Sequence, residues 1–376
     1  MLPLVTDAPK IKLLVLTPTL QCGGSEKYVS LLCNHIDTQK FAVTIAVLNN
    51  EQPFYTIINP AVNVIGLKVK KVRNALFKIK RLVAKEDPHI IFTTANHLNI
   101  YIAIFRKLFS KKILIIARES NVVSINNQKA KFPVFYDWLC KKYYQKLGFI
   151  ICQCQYMQAD LLRNYHIQKE KTAVINNPVE AGTRTAATSL QNSAAPVRKF
   201  ITVARLSAQK GIDRVLHAVA KLPKPFVYYI IGDGEEEAAI KNLIVQLHLQ
   251  NEVFLEGQKA QPFKGHEDAD LFLMGSYFEG FPNSLLEAGV LGIPVIAFDA
   301  PGGIGEIVMD SENGLLVKDN DANAFTLAIE KAQHINFNRP QIKAFTEQRF
   351  AVNTIVKKTE ELLLQLYSQH VTESSG

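Results

Sequence analysis

Residues 276–294 read SYFEGFPNSLLEAGVLGIP and hold two glutamates, Glu279 and Glu287, eight positions apart. The first follows the apolar run DLFLM and so lies in a loop at a strand end. Gly280 and Pro282 beside it describe constrained backbone that a ligand approaches closely. The second is expected in the first turn of a helix begun at Asn283 or Ser284. Backbone N–H groups at such a helix end receive a diphosphate, and the neighbouring carboxylates accept hydrogen bonds from sugar or ribose hydroxyls. Ser284-x-x-Glu287 equally fits a capping box, in which the carboxylate satisfies only a backbone donor.

Gly23 and Gly24 open a helix directly after the first apolar run, where bare backbone can approach a phosphate or a sugar. A simple tight turn needs the same residues. His97, in TTANHLN, ends another apolar run and is a candidate on the acceptor side, although a lone loop histidine more often has a structural role. The pair Asp268-x-Asp270 suggests Mg or Mn binding at first sight, but it leads straight into LFLM and reads as the acidic entry to a core strand. The five cysteines form an odd set without CxxC spacing, so neither a disulfide framework nor a zinc site is expected.

The elements that must position these residues are visible as an alternation. IKLLVLTP, FAVTIAVLN, HIIFTT, ILIIAR and GFIICQ are strand-sized apolar runs, separated by helical patterns near 25–36 and 72–85. That order predicts a parallel sheet with helical crossovers. Residues 180–197 are rich in Ala, Ser and Thr and read as a linker. A second series follows, KFITVARL, PFVYYIIGDG, NEVFLEG, DLFLMGS, PVIAFDA and GLLVK, with helices near 211–222, 235–248, 284–291 and 321–333. From about Thr346 to Tyr367, the positions Phe350, Ile355, Thr359, Leu362 and Leu366 predict one long amphipathic helix. The expected fold class is α/β, with two doubly wound Rossmann-like domains facing across a cleft: 1–179, then after the linker 198–345, with 346–376 packing back on the first domain.

The segment around Glu279 and Glu287 strongly resembles the Glu-x7-Glu signature of the family 4 retaining glycosyltransferases of the GT-B fold. LLVLTPTLQCGGSEKYVSLL is similar to that family's opening strand, glycine loop and helix, and VARLSAQKGIDRVLHAV to its phosphate-binding strand and turn. YIIGDGEEEAAIKNLIVQLHLQNEVFLEG, PVIAFDAPGGIGEIV and ENGLLV match in order and spacing. The resemblance implies that Arg205 and Lys210 hold the donor diphosphate and neutralise the leaving nucleotide, that Glu279 contacts the transferred sugar, and that Glu287 binds the ribose. It further implies a donor pocket made with Gly23, Gly24, Gly280, Phe281, Asn283, Ser284 and Leu285, and the backbone of Gly257 and Gln258 against the base. Ala204 stands where the family usually has glycine. Arg118 and Glu119 stand in ARESN where many relatives carry a histidine near the acceptor, a variant similar to bacterial transferases that build surface polysaccharides on polyprenyl-diphosphate carriers.

Charge adds the expected partner. Residues 1–180 hold 25 Lys and Arg against 11 Asp and Glu, whereas the whole chain carries +9, so the second half is acidic. Within KVKKVRNALFKIKRLVAK, Val72, Leu76, Ile79 and Val83 form one helical face with cations dense elsewhere, the pattern of a helix on an anionic interface. No nucleic-acid recognition motif accompanies the basic half. The apolar runs fall short of the ~20 residues that span a bilayer, and MLPLVTDAPKIK lacks the pattern of a secretory leader. The expectation is a cytoplasmic enzyme, peripheral on the inner face of the membrane, which transfers a sugar from a nucleotide-sugar, with UDP as the preferred nucleotide, to a lipid-linked acceptor without metal or cofactor. The alternatives are a nucleotide-sugar epimerase of the same fold and a non-catalytic membrane-attached binding protein.

Overall fold

Runs such as Leu13–Leu16 and Ile90–Phe92 are apolar at every position and buried at every position, as strands covered by helices on both faces must be. A computed structural model describes residues 9–182 and 198–375. In chain order, the first unit contains β1 (Ile11–Thr17), α1 (Gly24–His35), β2 (Phe41–Val47), β3 (Asn63–Gly66) and α2 (Leu76–Glu86). It continues with β4 (Ile90–Thr94), α3 (Asn96–Ile104), β5 (Leu114–Arg118), α4 (Val123–Gln128), α5 (Pro133–Tyr143), β6 (Phe149–Cys152), α6 (Gln155–Tyr165) and β7 (Thr172–Val174). All seven strands are parallel, in the order β3-β2-β1-β4-β5-β6-β7. Strand order reverses between β1 and β4. Right-handed crossovers therefore put α1 on one face of the sheet and α2, α3, α5 and α6 on the other.

The second unit runs β8 (Arg198–Val203), α7 (Ile212–Val219), β9 (Phe226–Ile231), α8 (Glu237–Gln246), β10 (Val253–Leu255), β11 (Leu271–Met274) and α9 (Asn283–Val290). Then come β12 (Val295–Phe298), α10 (Ile304–Ile307), β13 (Gly314–Val317), α11 (Ala322–Ala332) and α12 (Arg339–Phe350). Its six parallel strands are ordered β10-β9-β8-β11-β12-β13, with the reversal between β8 and β11. Phe200 and Ile201 pair with Leu271 and Phe272 there. Its core gathers Val215, Leu216 and Val219 of α7 against Phe200, Leu273 and Phe298 of the sheet.

The last helix, α13 (Val352–Ser375), belongs to the first unit, which comprises Met1–Pro178 and Val352–Gly376, while the second comprises Val179–Ala351. The single helix expected over 346–367 is thus two helices. At Ala351 the backbone turns extended, and Val179 both bridges to it and donates its N–H to the Phe350 carbonyl at 2.8 Å. Phe350 consequently packs on Phe281 in the second unit, with ring centroids 5.5 Å apart. The buried stripe of α13 is Ile355, Val356, Thr359 and Leu363, and it lies on α1. Of the expected linker, residues 183–197 lie outside the described residues.

Two local expectations change. The helix expected over 72–85 starts at Leu76, after a single 3-10 turn at Val72–Asn74, and its buried face is Ile79, Leu82 and Val83. Glu287 is the fifth residue of α9, which Pro282 caps, so no capping box forms at Ser284 and Glu287 lies in the second turn.

Candidate active site

In an open parallel sheet, ligands bind beyond the carboxyl ends of the strands where the order reverses. In the second unit those ends belong to β8 and β11. The loop after β8 carries Arg205 and Lys210, and the loop after β11 carries Ser276 and Glu279. Three sequence candidates, Arg205, Lys210 and Glu279, thus lie in loops at one switch point.

The two loops are stitched to each other. Tyr277 donates its N–H to the Gln209 carbonyl, and the Gln209 side chain returns a bond to the Phe278 carbonyl, both at 2.9 Å. Gly211 and Gly275 approach so closely that a Cβ on either would collide with the other's backbone, and Gly211 is held at φ 54°. Arg214 of α7 fixes the same loop from below. Its Nε and Nη2 donate to the carbonyls of Gly275 and Ser276, its Nη1 pairs with Asp319 at 2.7 Å, and its guanidinium lies 3.9 Å from the Phe298 ring centroid and 4.1 Å from that of Tyr277.

That framework brings Lys210 Nζ to 2.6 Å from Glu279 Oε1, which also accepts from Ser276 Oγ at 2.5 Å. Glu279 is buried, its backbone N–H bonded to the Pro301 carbonyl at 2.9 Å. Gly302, at φ 124°, lies against the Glu279 carbonyl where a Cβ would not fit. Lys210 and Ser276 both bond to Oε1 of Glu279, so among the described residues Oε2 keeps its lone pairs for a ligand. Arg205 is exposed and its guanidinium has no partner among the described residues. Lys210 keeps two further N–H donors beyond the one used by Glu279.

The remaining donor candidates of this unit differ in burial. Gly280 accepts the Gly303 N–H at 2.9 Å, Phe281 and Leu285 are buried, and Asn283, Ser284 and Glu287 are half-buried along the start of α9. Gly257 ends the turn after β10 with its carbonyl on the Gly232 N–H at 2.9 Å, and Gln258 beside it is exposed. Asp268 pairs with Lys199 at 2.5 Å, and Asp270 accepts the Lys199 N–H at 2.8 Å. Both aspartates thus tie down the strand beside them. Among the described residues, no group of three or more His, Cys, Asp or Glu is placed to hold a metal ion.

The first unit treats its candidates differently. Gly23 caps α1, but the Glu26 carboxylate folds back over it, and Thr19 Oγ1 donates to Glu26 Oε1 at 3.1 Å. An anion approaching Gly23 or Gly24 meets this carboxylate, which already complements the helix dipole. His97 is exposed in the first turn of α3.

Arg118 and Glu119 are fully buried, at 1% and 0% exposure, so neither presents its side chain to an acceptor in this structure. Arg118 lies 3.6 Å from the Tyr28 ring centroid and donates to Asn177 Oδ1 at 2.6 Å. Glu119 Oε1 accepts from Asn99 at 2.7 Å and from Tyr144 at 2.8 Å. Burial pushes its carboxyl up to about 6, against the lowering effect of those two donors. Arg118 Nε and Nη1 and Glu119 Oε2 have no hydrogen-bond partner among the described residues.

Ser276, Gln209 and Arg214 were not singled out in the sequence. Ser276 adjoins the glutamate motif, and its hydroxyl is the signal that reading passed over. Arg214 had none, because it lies opposite the Ile212, Val215, Leu216 and Val219 stripe and reads as a solvent position.

Comparison with known proteins bears on the family and the fold. Residues 190–349 match the model described as glycosyl transferases group 1, and residues 22–182 match that of glycosyltransferase family 4. The chain is 28% identical over 325 residues to the Campylobacter jejuni N-acetylgalactosamine-N,N'-diacetylbacillosaminyl-diphospho-undecaprenol 4-alpha-N-acetylgalactosaminyltransferase, covering 84% of this chain and 88% of that protein. It is 23% identical over 363 residues to the amylovoran biosynthesis glycosyltransferase AmsD of Erwinia amylovora, covering 94% and 99%. Sucrose-phosphate synthase from Thermosynechococcus elongatus shares the fold with a TM-score of 0.81 at 20% identity, over 96% of this chain and all of that one. HepE of Anabaena, solved with UDP and glucose, does so at 0.75 and 20%, over 94% and 100%. The chain belongs to the family 4 glycosyltransferases and has their GT-B pair of Rossmann-like units.

Proposed function

We propose that the protein transfers a sugar, with retention of anomeric configuration and without a metal ion, from a nucleotide-sugar to an acceptor hydroxyl on a lipid-linked glycan. The observation that carries this reading is the Lys210–Glu279 pair at the β8/β11 switch point with the exposed Arg205 on the same loop as Lys210. In this reading Arg205 and the remaining Lys210 donors meet the donor diphosphate. They stabilise the charge that grows on its oxygens as the glycosidic bond breaks, the step at which fixed cations accelerate most. Glu279 Oε2 accepts from a hydroxyl of the transferred sugar and Glu287 from the ribose. Developing positive charge at the anomeric carbon lies near a carboxylate whose own charge is held in place by Lys210.

The acceptor class is supported by the name of the Campylobacter jejuni relative, which acts on a diphospho-undecaprenol glycan. UDP heads the list of nucleotides because HepE, of the same fold, is solved with UDP and glucose. The basic first unit is read as facing an anionic membrane on its cytoplasmic side, and no helix among the described residues is long and apolar enough to cross one.

The test is donor binding and nucleotide release across UDP-, GDP- and ADP-sugars, with and without a polyprenyl-diphosphate glycan, in native protein, Glu279→Ala and Arg205→Ala. Acceptor-dependent release from one nucleotide class, lost in both variants, is expected. Epimer formation without acceptor would replace transfer by isomerisation, and absence of all nucleotide-sugar binding would remove the reading altogether.

A further inference from the structure

Helix α5 buries only Leu139 and Cys140 on its inner side. Its outer side leaves large apolar groups in water: Val134 is 84% exposed, Phe135 54% and Trp138 47%, with Phe132 of the preceding turn at 58%. At 3.6 residues per turn, Val134, Phe135, Trp138, Lys141 and Lys142 share an arc of about 120°. Phe135 and Trp138 stack at 6.1 Å, Lys142 Nζ sits 4.5 Å from the Trp138 ring centroid, and Lys131 Nζ sits 5.7 Å from that of Phe132. A contiguous apolar face of this kind marks an interaction surface.

The charge around it selects the occupant. Residues 129–146 contain five lysines and one acid, Asp137, which is already engaged by Lys141 at 2.7 Å and by the Tyr165 hydroxyl at 2.8 Å. A partner must therefore be anionic where the lysines point and apolar where the rings point. Aromatic rings with lysine heads laid across them suit the boundary between headgroups and acyl chains, where the ring body is buried and the ammonium stays wet. Helix α2 occupies the same helical layer, and there Phe77 is 84% exposed among Lys78, Lys80 and Arg81.

We propose that the outer face of α5, with Phe132, inserts into the headgroup layer of an anionic bilayer and anchors the first unit there, while the cations of α2 supply long-range attraction. The proposal rests on the reading that the acceptor is membrane-held, which gives the surface its purpose. It also shifts the anchor away from the 68–85 segment that the charge pattern singles out.

Trp138 is the chain's sole tryptophan, so its fluorescence reports this face alone. The experiment titrates the full chain with phosphatidylglycerol vesicles and with phosphatidylcholine vesicles, recording Trp138 emission, its quenching by brominated acyl chains, and co-sedimentation. A blue shift with quenching on the anionic vesicles only is expected. The triple variant Phe132→Ser, Val134→Ser, Phe135→Ser should bind about a hundredfold more weakly, because three apolar side chains no longer leave water. Lys78→Glu with Lys80→Glu should weaken binding at low salt while leaving quenching intact in the bound fraction.

Co-sedimentation with an unshifted tryptophan, or undiminished binding of the triple variant, would overturn the proposal. So would a dimer of the protein alone that the triple variant abolishes, since the face would then belong to a second copy. Nucleotide release with a detergent-dispersed acceptor separates the two readings. The triple variant should match native protein in that assay, and a parallel loss there would assign the face to acceptor binding instead. If native protein shows no release under any condition, the transferase reading fails while the vesicle titration still decides this one.

Discussion

The ammonium of Lys210 lies 2.6 Å from a carboxylate, Glu279, that is far more deeply buried than the lysine: side-chain exposures are 23% and 6%. Removing either partner breaks the same bond, with unequal consequences. Lys210→Ala strands a buried anion, at a cost of about 3 kcal/mol, whereas Glu279→Ala leaves a lysine that can turn to water. Both should lower nucleotide-sugar turnover by about 100-fold or more, since each removes charge beside the reacting diphosphate or sugar. Urea unfolding of the two single variants and the double variant checks the ordering. Lys210→Ala should be the least stable, and the double variant should recover most of its loss. Equal destabilisation by both single changes would mean that the pair is solvated and not a fixed element of the site.

Arg205 presents the opposite case, being exposed and without a partner on its guanidinium among the described residues. Arg205→Ala should change stability by less than about 0.5 kcal/mol and reduce kcat/KM by about 100-fold. Arg205→Lys should recover part of the loss, because a point charge replaces a fork that bonds two phosphate oxygens. Isothermal titration with the free nucleoside diphosphate provides the independent readout, and unchanged affinity in Arg205→Ala would remove this residue from the donor site.

Much of this was legible in the sequence for a physical reason. Parallel strands buried on both faces are uninterrupted apolar runs, so β4 or β12 can be located without knowing its neighbours. Glu279 was legible because it follows such a run. The break at Ala351 was not, because no glycine or proline marks it and the Val179 contact that stabilises it comes from 172 positions away in sequence. The burial of Arg118 and Glu119 was hidden for a similar reason. Polar residues at a strand end read as ligand-facing, and only the packing of Tyr28, Asn99 and Tyr144 around them encloses the pair. The outer face of α5 was overlooked because FYDWL sets exposed Phe135 and Trp138 beside buried Leu139, and period alone does not say which side finds a partner.

Arg214 holds the loop that carries Glu279 without belonging to the site itself. Arg214→Met preserves much of the packing on Tyr277 and Phe298 but strands the carbonyls of Gly275 and Ser276 and the Asp319 carboxylate. The expected cost is about 3 kcal/mol. Donor affinity should fall less than turnover, because the chief error introduced is in the placement of Glu279. Calorimetric Tm together with separate kcat and KM values checks this, and a KM effect alone would show that the loop keeps its geometry without the arginine.

Glu119 gives a stability prediction with a definite sign. Below about 4.5, its ordinary value, the carboxyl is protonated whether the chain is folded or not, and above about 6 it is ionised in both states. Between those values the folded protein holds the proton and the unfolded chain has lost it, so this group's contribution to stability falls as pH rises through the window. The loss amounts to about 2 kcal/mol by neutral pH. Glu119→Gln keeps an oxygen for the Asn99 and Tyr144 donors but cannot ionise. Measured by urea unfolding, the difference between variant and native protein should therefore move in the variant's favour by about that amount between pH 4.5 and neutrality. Parallel profiles for the two proteins would mean that Oε2, which has no partner among the described residues, is reached by water, and that Glu119 is less enclosed than its neighbours make it.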